Sequence, residues 1–260
     1  MTQERIQKIL ARSGYGSRRS CEQLIQDGRV LVNQQVAELG AKADPQVDEI
    51  LVDHKRVNAP ESLVYIALYK PRNIISTVSS PDVSRKTVRD LVDVPATIYP
   101  VGRLDVDSEG LILMTNDGEL ANQLTHPRYE HQKEYQVLVA RHPDESQLDL
   151  WRRGIVLEDG YHTQPAEVKV VAKSGKGAWM KIVLKEGRKR QIREMGKLTG
   201  LPVVRIIRVR MANIHLGKLK PGEWRVLTPE ELADLKSPIH PTGTKKGPAL
   251  KRSSSRKPKG

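Results

Sequence analysis

The sequence lacks the features that define several protein classes. Cys21 is the single cysteine, so the chain has no internal disulfide framework and no cysteine-based zinc or iron–sulfur site. No apolar run approaches the roughly 20 residues of a transmembrane helix, and residues 1–10 contain no apolar signal core. The seven histidines are scattered without the spacing of metal ligands. These absences predict a cytoplasmic protein that uses neither a membrane nor a metal.

Basic side chains are what the sequence has in excess. The 260 residues carry a formal net charge of +13, which indicates an anionic polymer as partner. Seven of the basic residues lie in residues 237–260, a segment without acidic residues and rich in proline, glycine and serine. Such a segment buries too little apolar surface to offset its ordering entropy, so we expect a disordered basic tail there.

Residues 1–60 are predicted to form a first unit that begins with two short helices and a strand. Spacing in the first helix separates an apolar face, formed by Ile6, Ile9 and Leu10, from a basic face formed by Arg5, Lys8 and Arg12. Ser17 can cap a second helix that opens with Arg18 and Arg19, at the end where the helix dipole favours anions. A bound phosphate would stabilise both arginines, although these residues alone equally allow a solvated charged surface.

Residues 61–236 are predicted to form a second, larger unit. Its strands and helices alternate without a regular βαβ period, which favours an α+β domain with a mixed sheet. The predicted strands are 64–69, 74–78, 111–114, 135–140, 168–171, 179–184 and 203–209, and the predicted helices are 86–92, 119–124, 146–153, 190–198 and 229–235. The segment around Asn116 resembles a capping box, with Asn116 as N-cap of the second of these helices and Glu119 at its third position.

Residues 102–110 place acidic side chains between two apolar segments, 99–101 and 111–114. A loop anchored by two core elements is well positioned, and Gly102 and Gly110 permit backbone angles or close approaches that a side chain would block. We therefore expect Asp105 at the rim of a pocket. The residues alone leave open that it is an ordinary loop aspartate that hydrogen-bonds its own backbone.

The densest charge cluster lies in residues 185–210, where nine Lys and Arg residues face only Glu186 and Glu194. This stretch spans a predicted helix and a predicted strand, so its side chains can line a surface with fixed spacing. A groove that follows the phosphates of a nucleic acid is the interpretation that this density favours, with a solvated basic surface as the alternative.

Together these motifs resemble a known family. Residues 102–118 resemble the catalytic loop of RNA pseudouridine synthases of the ribosomal small-subunit and large-subunit branch, and residues 70–71, 133–135, 186–193 and 220–224 support the match. Residues 17–19 and 28–33 are similar to the S4 RNA-binding domain that this branch carries at its N-terminus. The resemblance covers about residues 3–236.

The resemblance assigns roles to individual residues. Asp105 would be the catalytic aspartate, Tyr135 the ring that stacks on the target uracil, and Arg193 the basic residue paired with the aspartate. Arg103 would help to hold the flipped nucleotide. Further RNA contacts are expected from Arg188 and Arg190 and, in the first unit, from Arg5, Lys8, Arg12, Arg18 and Arg19.

Two positions depart from the family pattern. Asn73 stands where the family usually has the glycine of Lys-Pro-x-Gly, and asparagine is the best non-glycine occupant of a left-handed turn, so the turn is expected to survive. Arg190 and Gln191 stand where many relatives have His-Gln, which keeps the positive charge and changes the local hydrogen bonding.

The expected function is the isomerisation of a specific uridine in ribosomal RNA, with 23S RNA favoured over 16S RNA because the segment 188–193 resembles the large-subunit members. The rearrangement has no redox change, so no cofactor is expected. A monomer that acts on ribosomal RNA, with ribosome assembly intermediates as further partners, is the expected form. The competing hypotheses are a non-catalytic S4-type ribosome-assembly factor and a glycosidase-like or nuclease-like hydrolase, which lacks a clearly placed second carboxylate.

Overall fold

The computed structural model describes residues 3–80, 82 and 84–237. No helix in this part of the chain combines the length and the apolar composition that a membrane span requires. The sequence predicts a disordered tail over residues 237–260. Residues 238–260 lie outside the described part of the chain.

The first unit contains two helices and two small sheets. Its elements are β1 (Glu4–Arg5), α1 (Ile6–Arg12), α2 (Arg18–Gln26), β2 (Val30–Val32), β3 (Gln35–Val36), β4 (Lys42–Ala43), β5 (Ile50–Val52) and β6 (Lys55–Arg56). Strands β1 and β4 pair with each other, and the other four form a sheet in the order β3-β2-β5-β6.

Both helices of the first unit follow the sequence pattern. Ile6, Ile9 and Leu10 are buried against the second helix, which contributes Cys21 to the same apolar cluster. Ser17 caps α2 as predicted, because its Oγ accepts a hydrogen bond from the backbone N–H of Ser20 at 3.1 Å.

The second unit is built on one nine-stranded sheet. Its elements are β7 (Tyr65–Lys70), a 3₁₀ turn (Arg89–Leu91), β8 (Tyr99–Val101), β9 (Glu109–Thr115), α3 (Gly118–Thr125), a second 3₁₀ turn (Pro127–Tyr129), β10 (Lys133–Val139), α4 (Glu145–Arg153), β11 (Glu167–Ser174), β12 (Gly177–Leu184), α5 (Gln191–Leu198), β13 (Val203–Met211), β14 (Ile214–His215), β15 (Trp224–Val226) and α6 (Pro229–Lys236). The strand order is β11-β12-β10-β13-β9-β7-β15, with β14 on β13 and β8 on β9. Strands β13 and β9 pair in parallel, and the other strand pairs described are antiparallel. The predicted α+β domain with a mixed sheet is confirmed.

The parallel pair is a seam between two halves of the sheet. On one side, β10, β11 and β12 pack on α4 and α5 around the fully buried Trp151. On the other, β7 and β9 are buried throughout and pack against α3 and α6 on one face. At the seam, Ile207 and Arg208 pair with Glu109 and Gly110. The loop that contains Asp105 therefore leads directly into the line where the two halves meet.

Two predicted elements are wrong. Residues 74–78, predicted as a strand from their β-branched composition, form a loop with one isolated bridge, between Ile75 and Thr87. Residues 86–92, predicted as a helix, contain only the 3₁₀ turn, because the carboxylate of Asp90 accepts both donors of Thr87 and closes a local turn instead. In both segments, side-chain hydrogen bonds replace a regular backbone ladder.

The capping prediction for α3 is wrong by one residue. Asp117 is the N-cap, and its carboxylate accepts hydrogen bonds from the backbone N–H groups of Glu119 and Leu120 at 3.1 Å each. Asn116 instead binds the segment before β7, accepting from the N–H of Val64 at 2.8 Å and donating to the carbonyl of Ser62 at 3.0 Å. Asn116 thus joins two chain segments, and the carboxylate of Asp117 caps the helix.

Candidate active site

The loop 102–109 is closed at both ends by glycine. Gly102 has φ +71° and Gly110 has φ +107°, a region that side chains disfavour. A Cβ on Gly110 would lie 2.3 Å from the carbonyl oxygen of Arg208, so no other residue fits beside β13 at this point. The two glycines therefore have the roles expected of them: one turns the chain, and the other allows the close approach of two backbones at the seam.

The segment that follows β7 holds the loop from beneath. The Oγ of buried Ser76 donates to the carbonyl of Leu104 at 2.7 Å and accepts from its N–H at 3.1 Å. Asn73, at φ +66° in the left-handed turn expected for it, donates its N–H to the carbonyl of Val106 at 2.7 Å. The residues on both sides of Asp105 are thus fixed by hydrogen bonds, which orient its side chain.

Lys70 lies fully buried under the same loop. Its ammonium donates to the carbonyl of Ser108 at 2.7 Å and to that of Pro71 at 2.9 Å. Burial lowers the pKa of Lys70 to about 8, and the nearby carboxylates of Asp107 and Asp105 oppose this shift. The lysine therefore supplies positive charge beneath an acidic loop while its donors bind backbone carbonyls.

Glu109 fixes the end of the loop at the start of β9. Its buried carboxylate accepts from Nε and Nη2 of Arg205 at 2.6 and 3.1 Å and from the hydroxyl of Tyr69 at 3.2 Å. Burial alone would raise the pKa of Glu109, but the hydrogen bond and charge of Arg205 lower it overall. Glu109 is thus a structural anion that fixes the end of the loop.

A cavity of about 920 Å³ opens beside the loop and is large enough for a nucleotide. Its wall brings together five residues that the sequence singled out, namely Arg103, Asp105, Tyr135, Arg188 and Arg190. The side chain of Asp105 is 32% exposed, so its carboxylate is reachable from the cavity while its backbone is held. Arg193 does not line this cavity.

The pairing of Asp105 differs from the expectation. Arg193 was expected to pair with Asp105, but its Nη2 lies 3.1 Å from Oδ2 of Asp107 and also donates to the Asp107 carbonyl at 3.3 Å. Arg190 is the guanidinium beside Asp105, with 3.9 Å between Nη1 and Oδ2, and it also lies 3.6 Å from Asp107. The two arginines differ in position: Arg193 lies within the first turn of α5 and is mostly buried, whereas Arg190 is the exposed N-cap of α5. The guanidinium that faces Asp105 is therefore that of Arg190.

The turn before α5 is organised by a buried carboxylate that the sequence analysis left unassigned. Glu186 accepts hydrogen bonds from Nε2 of Gln191 at 2.7 Å, the N–H of Gln164 at 2.9 Å and the hydroxyl of Tyr161 at 2.7 Å. Arg188 stacks 3.8 Å above the ring of Tyr161 and pairs with Asp159. Gln191, which both patterns share, belongs to this network, and Arg190 stands outside it beside the loop.

Tyr135 lies on the inward face of β10. It is buried, and its register partner on β13 is Arg208, which also contributes to the cavity wall. Tyr135, on β10, and Asp105, in the loop before β9, thus line one cavity from opposite sides of the seam. An aromatic ring next to a carboxylate and a guanidinium is the arrangement needed to hold an extruded base.

The five basic residues expected in the first unit lie outside this cavity. Lys8 pairs with Glu4 at 3.1 Å and with Glu119 of the second unit at 2.7 Å, and Arg12 pairs with Glu4 at 2.9 Å. Exposed side chains belong to Arg5, Arg18 and Arg19, and Arg18 lines a second, polar cavity beside α3. The predicted basic face of α1 is therefore largely neutralised, and the start of α2 keeps its charge.

Comparison with known proteins agrees with this geometry. Residues 64–197 match the family model described as RNA pseudouridylate synthase, and residues 4–48 match the S4 domain. A protein of Aquifex aeolicus (strain VF5) named "Uncharacterized RNA pseudouridine synthase" is 42% identical over 237 residues, covering 90% of this chain and 94% of its own length. "Ribosomal large subunit pseudouridine synthase B" of Bacillus subtilis (strain 168) is 42% identical over 238 residues, covering 90% and 96%. The namesake protein of Salmonella typhi is 41% identical, covering 86% and 79%.

A solved structure supports the same fold. "Crystal structure of pseudouridylate synthase" superposes with a TM-score of 0.65 at 27% sequence identity, covering 89% of this chain and 99% of that chain. Sequence, fold and the wall of the cavity agree, and the chain belongs to the RNA pseudouridine synthases that carry an N-terminal S4 domain.

Proposed function

We propose that this protein isomerises one uridine of the large-subunit ribosomal RNA to pseudouridine. The relatives from Bacillus subtilis and Salmonella typhi are named for the large ribosomal subunit and align with most of this chain. The observation that carries the proposal is the position of Asp105, held on both sides by backbone hydrogen bonds and facing a cavity that it shares with Tyr135 and Arg190.

The reaction breaks the bond between N1 of uracil and C1′ of ribose and forms a bond between C5 and C1′. The base turns between these steps, C5 loses its proton and N1 gains one, so the overall change is an isomerisation. Asp105 is the proposed catalytic carboxylate, and three routes suit it: attack on C1′, stabilisation of an oxocarbenium-like centre, or removal of a sugar proton. Each route needs the carboxylate beside the sugar, which the clamped loop provides.

The other residues hold the nucleotide. A base that leaves its stack in the RNA loses a stacking free energy on the order of a few kcal/mol. The ring of Tyr135 offers a stacking surface that offsets this loss. Arg103, Arg188 and Arg190 bring positive charge to the cavity wall, where phosphates of the RNA strand approach. We assign Arg193 an indirect role, in which it holds the loop through Asp107.

The first unit is proposed to dock the RNA. Its exposed Arg5, Arg18 and Arg19 are available to phosphates, whereas Lys8 and Arg12 serve mainly the packing of the unit. We further propose that the protein acts as a monomer in the cytoplasm, on free ribosomal RNA or on assembly intermediates.

The test is a map of pseudouridine across 16S and 23S RNA from cells with and without the protein. We expect one position of 23S RNA to lose its pseudouridine and to regain it when the wild-type protein, but not Asp105→Asn, is restored. Loss of a 16S position would move the assignment to the small subunit. Unchanged maps in both RNAs would contradict an enzymatic role and favour a binding factor.

A further inference from the structure

A group of basic residues on the floor of the cavity has no role in the function proposed above. Lys133 and Tyr135 are two residues apart on β10, so both face the cavity from the same side of the sheet. Arg208 faces Tyr135 across the β10–β13 pair and therefore lies on this side too. His131, just before β10, completes the group.

Fifteen lysines and arginines of the described residues form ion pairs with carboxylates, and Lys133 and Arg208 are not among them. Within the described residues, no carboxylate oxygen lies within 4.0 Å of the charged nitrogens of Lys133 or Arg208, although other arginines and lysines form such pairs at 2.5–3.9 Å. Lys133 donates to the carbonyl of His131 at 3.3 Å, and Arg208 donates from Nε to the carbonyl of Leu111 at 2.7 Å. Neither charge is therefore part of an ion pair, and Glu186 acts on Lys133 only from beyond ion-pair distance.

The nearest acid is already occupied. Glu186 lines the same cavity, but its two oxygens accept three hydrogen bonds, from Tyr161, Gln164 and Gln191. In addition, Nη2 of Arg208 and Nε2 of His131 are buried without a hydrogen-bond partner in the described part of the chain. Buried polar nitrogens without partners are uncommon in folded proteins, and here they accompany two charges that form no ion pair.

Burial and neighbouring charge both act on the ionisable groups of the cavity floor. Burial and the adjacent charge of Arg208 lower the pKa of Lys133 to about 8, and the charge of Glu186 opposes this shift. Burial and Lys133 together lower the pKa of His131. A site that disfavours its own positive charge when empty is suited to an anionic ligand, because an anion would relieve the repulsion between the two cations.

We propose that Lys133, with the buried charge of Arg208 behind it, binds a phosphodiester group of the RNA immediately next to the target uridine. This inference rests on the proposed function, because it takes the base on Tyr135 as its reference point. The spacing fits: side chains two residues apart on a strand are roughly 7 Å apart at Cα, about the distance between a base or its sugar and the flanking phosphate. Lys133 would thus fix the backbone while Tyr135 holds the base.

A phosphodiester suits these residues better than an edge of the uracil base. Carbonyl oxygens of a neutral base carry only partial charge and leave both cations without an ion-pair partner, whereas a phosphodiester brings a full negative charge and two acceptor oxygens. The competing possibility is that Lys133 stabilises the base only while it is detached from the sugar and anionic. The two possibilities differ in whether Lys133 contributes before the reaction begins.

The experiment compares wild type, Lys133→Met, Lys133→Arg and the control Lys169→Met. Lys169 is an exposed lysine on β11, outside the cavity, so its removal matches the change in net charge. The probe is an unmodified 23S RNA transcript bearing random ethylated phosphates, which is separated into bound and unbound fractions and mapped. A thermal melt of each variant confirms that it folds. Replacing Lys133 by methionine is compatible with folding because it removes a charge that burial disfavours.

We expect wild type, Lys169→Met and Lys133→Arg to share an interference position within one nucleotide of the modified uridine, and Lys133→Met to lose it. The salt dependence of RNA binding by Lys133→Met should be shallower by about 0.7–0.9 in log K against log salt, the value for one lost phosphate contact. An unchanged interference pattern would overturn the proposal. A slower single turnover with unchanged interference would also overturn it, in favour of the anionic base.

Failure of the proposed function gives a different result. A wild-type protein that binds the transcript but releases no tritium from uridine labelled at C5 contradicts the isomerase. Loss of one phosphate from the interference pattern of Lys133→Met would, in that case, still support an anion site on the cavity floor.

Discussion

Helix α1 and the cavity floor both carry basic residues, but the two groups differ in whether those residues have acidic partners. On α1, Lys8 and Arg12 are paired with Glu4 and Glu119 at 2.7–3.1 Å. On the cavity floor, Lys133 and Arg208 have no acidic partner among the described residues. Sequence alone made the helix a candidate for RNA binding and placed Arg208 within the basic stretch 185–210, but it gave Lys133 no role in binding.

The difference shows that the acids of a basic protein decide which of its cations are available. Glu119 lies 111 residues from Lys8 in sequence and opens helix α3, so it meets α1 only through the contact of the two units. Glu186, in contrast, lies near Lys133 but is occupied by neutral donors. Density of charge in the sequence is therefore a weaker guide than the geometry of the few acids nearby.

The largest effect is expected at the one carboxylate of the cavity wall that we assign to catalysis. Asp105→Asn should lower tritium release from uridine-labelled RNA by roughly three orders of magnitude or more, because the reacting group is lost, while RNA affinity remains. Asp93→Asn, an exposed aspartate of the same domain, serves as the control and should retain full activity. Substantial activity in Asp105→Asn would remove Asp105 from the mechanism.

Lys70 differs from both groups, because it is buried and its ammonium donates to backbone carbonyls. Its pKa of about 8 in the folded state lies below the ordinary lysine value of 10.5, so between these pH values the unfolded chain binds more protons. The free energy of unfolding should therefore rise with pH across this window, by at most about 3 kcal/mol from this group. Urea unfolding at pH 7.5 and 9.5 should show a smaller rise for Lys70→Met than for wild type. Equal rises in both proteins would mean that Lys70 does not titrate in this window.

Ser76 tests whether the clamp beneath the loop orients Asp105. Ser76→Ala leaves the buried N–H and carbonyl of Leu104 without partners, which should cost about 1–3 kcal/mol of stability. We also expect roughly tenfold slower tritium release in a single turnover, because Asp105 follows directly and small misplacements of reacting groups are costly. Ser79→Ala in the same loop is exposed and should change neither quantity. A destabilised Ser76→Ala with full activity would show that the clamp is purely structural.

The smallest effects on RNA affinity are expected for the basic residues of the first unit, where they distinguish a paired cation from an exposed one. Lys8→Met should change RNA affinity less than about twofold and stability by about 0.5 kcal/mol, because its charge is already paired at a partly exposed site. Arg19→Met should weaken binding by several-fold, on the order of one lost phosphate contact, and flatten its salt dependence. Filter binding across a salt series measures both. Equal losses in the two variants would erase the distinction drawn between paired and free cations.

Local patterns predicted much of the fold. The apolar spacing of Ile6, Ile9 and Leu10, the cap at Ser17 and the apolar run 111–114 were each read correctly, because neighbours in sequence determine these features. The prediction for residues 74–78 is wrong because a distant residue determines their structure. Their β-branched side chains favour a strand, but Ser76 forms hydrogen bonds with Leu104, 28 residues away.

The sequence predicted which residues line the cavity better than it predicted which of them form ion pairs. The motif around Asp105, the stacking candidate Tyr135 and the arginines 188 and 190 meet at one cavity, as the family resemblance implied. Arg193 was expected to be the partner of Asp105, but the distances assign Arg190 to that place. Lys133 was noted only as the start of a motif, and its proximity to Arg208 depends on the pairing of β10 with β13, which no local pattern reveals.

The most direct test of the central claim follows tritium, RNA and free base together as the wild-type protein acts on an unmodified 23S transcript labelled at uridine C5. We expect release of one tritium per transcript, a pseudouridine at one position, an intact chain and no free uracil. Release of free uracil, cleavage of the chain, or binding without tritium release would contradict an isomerase acting through Asp105.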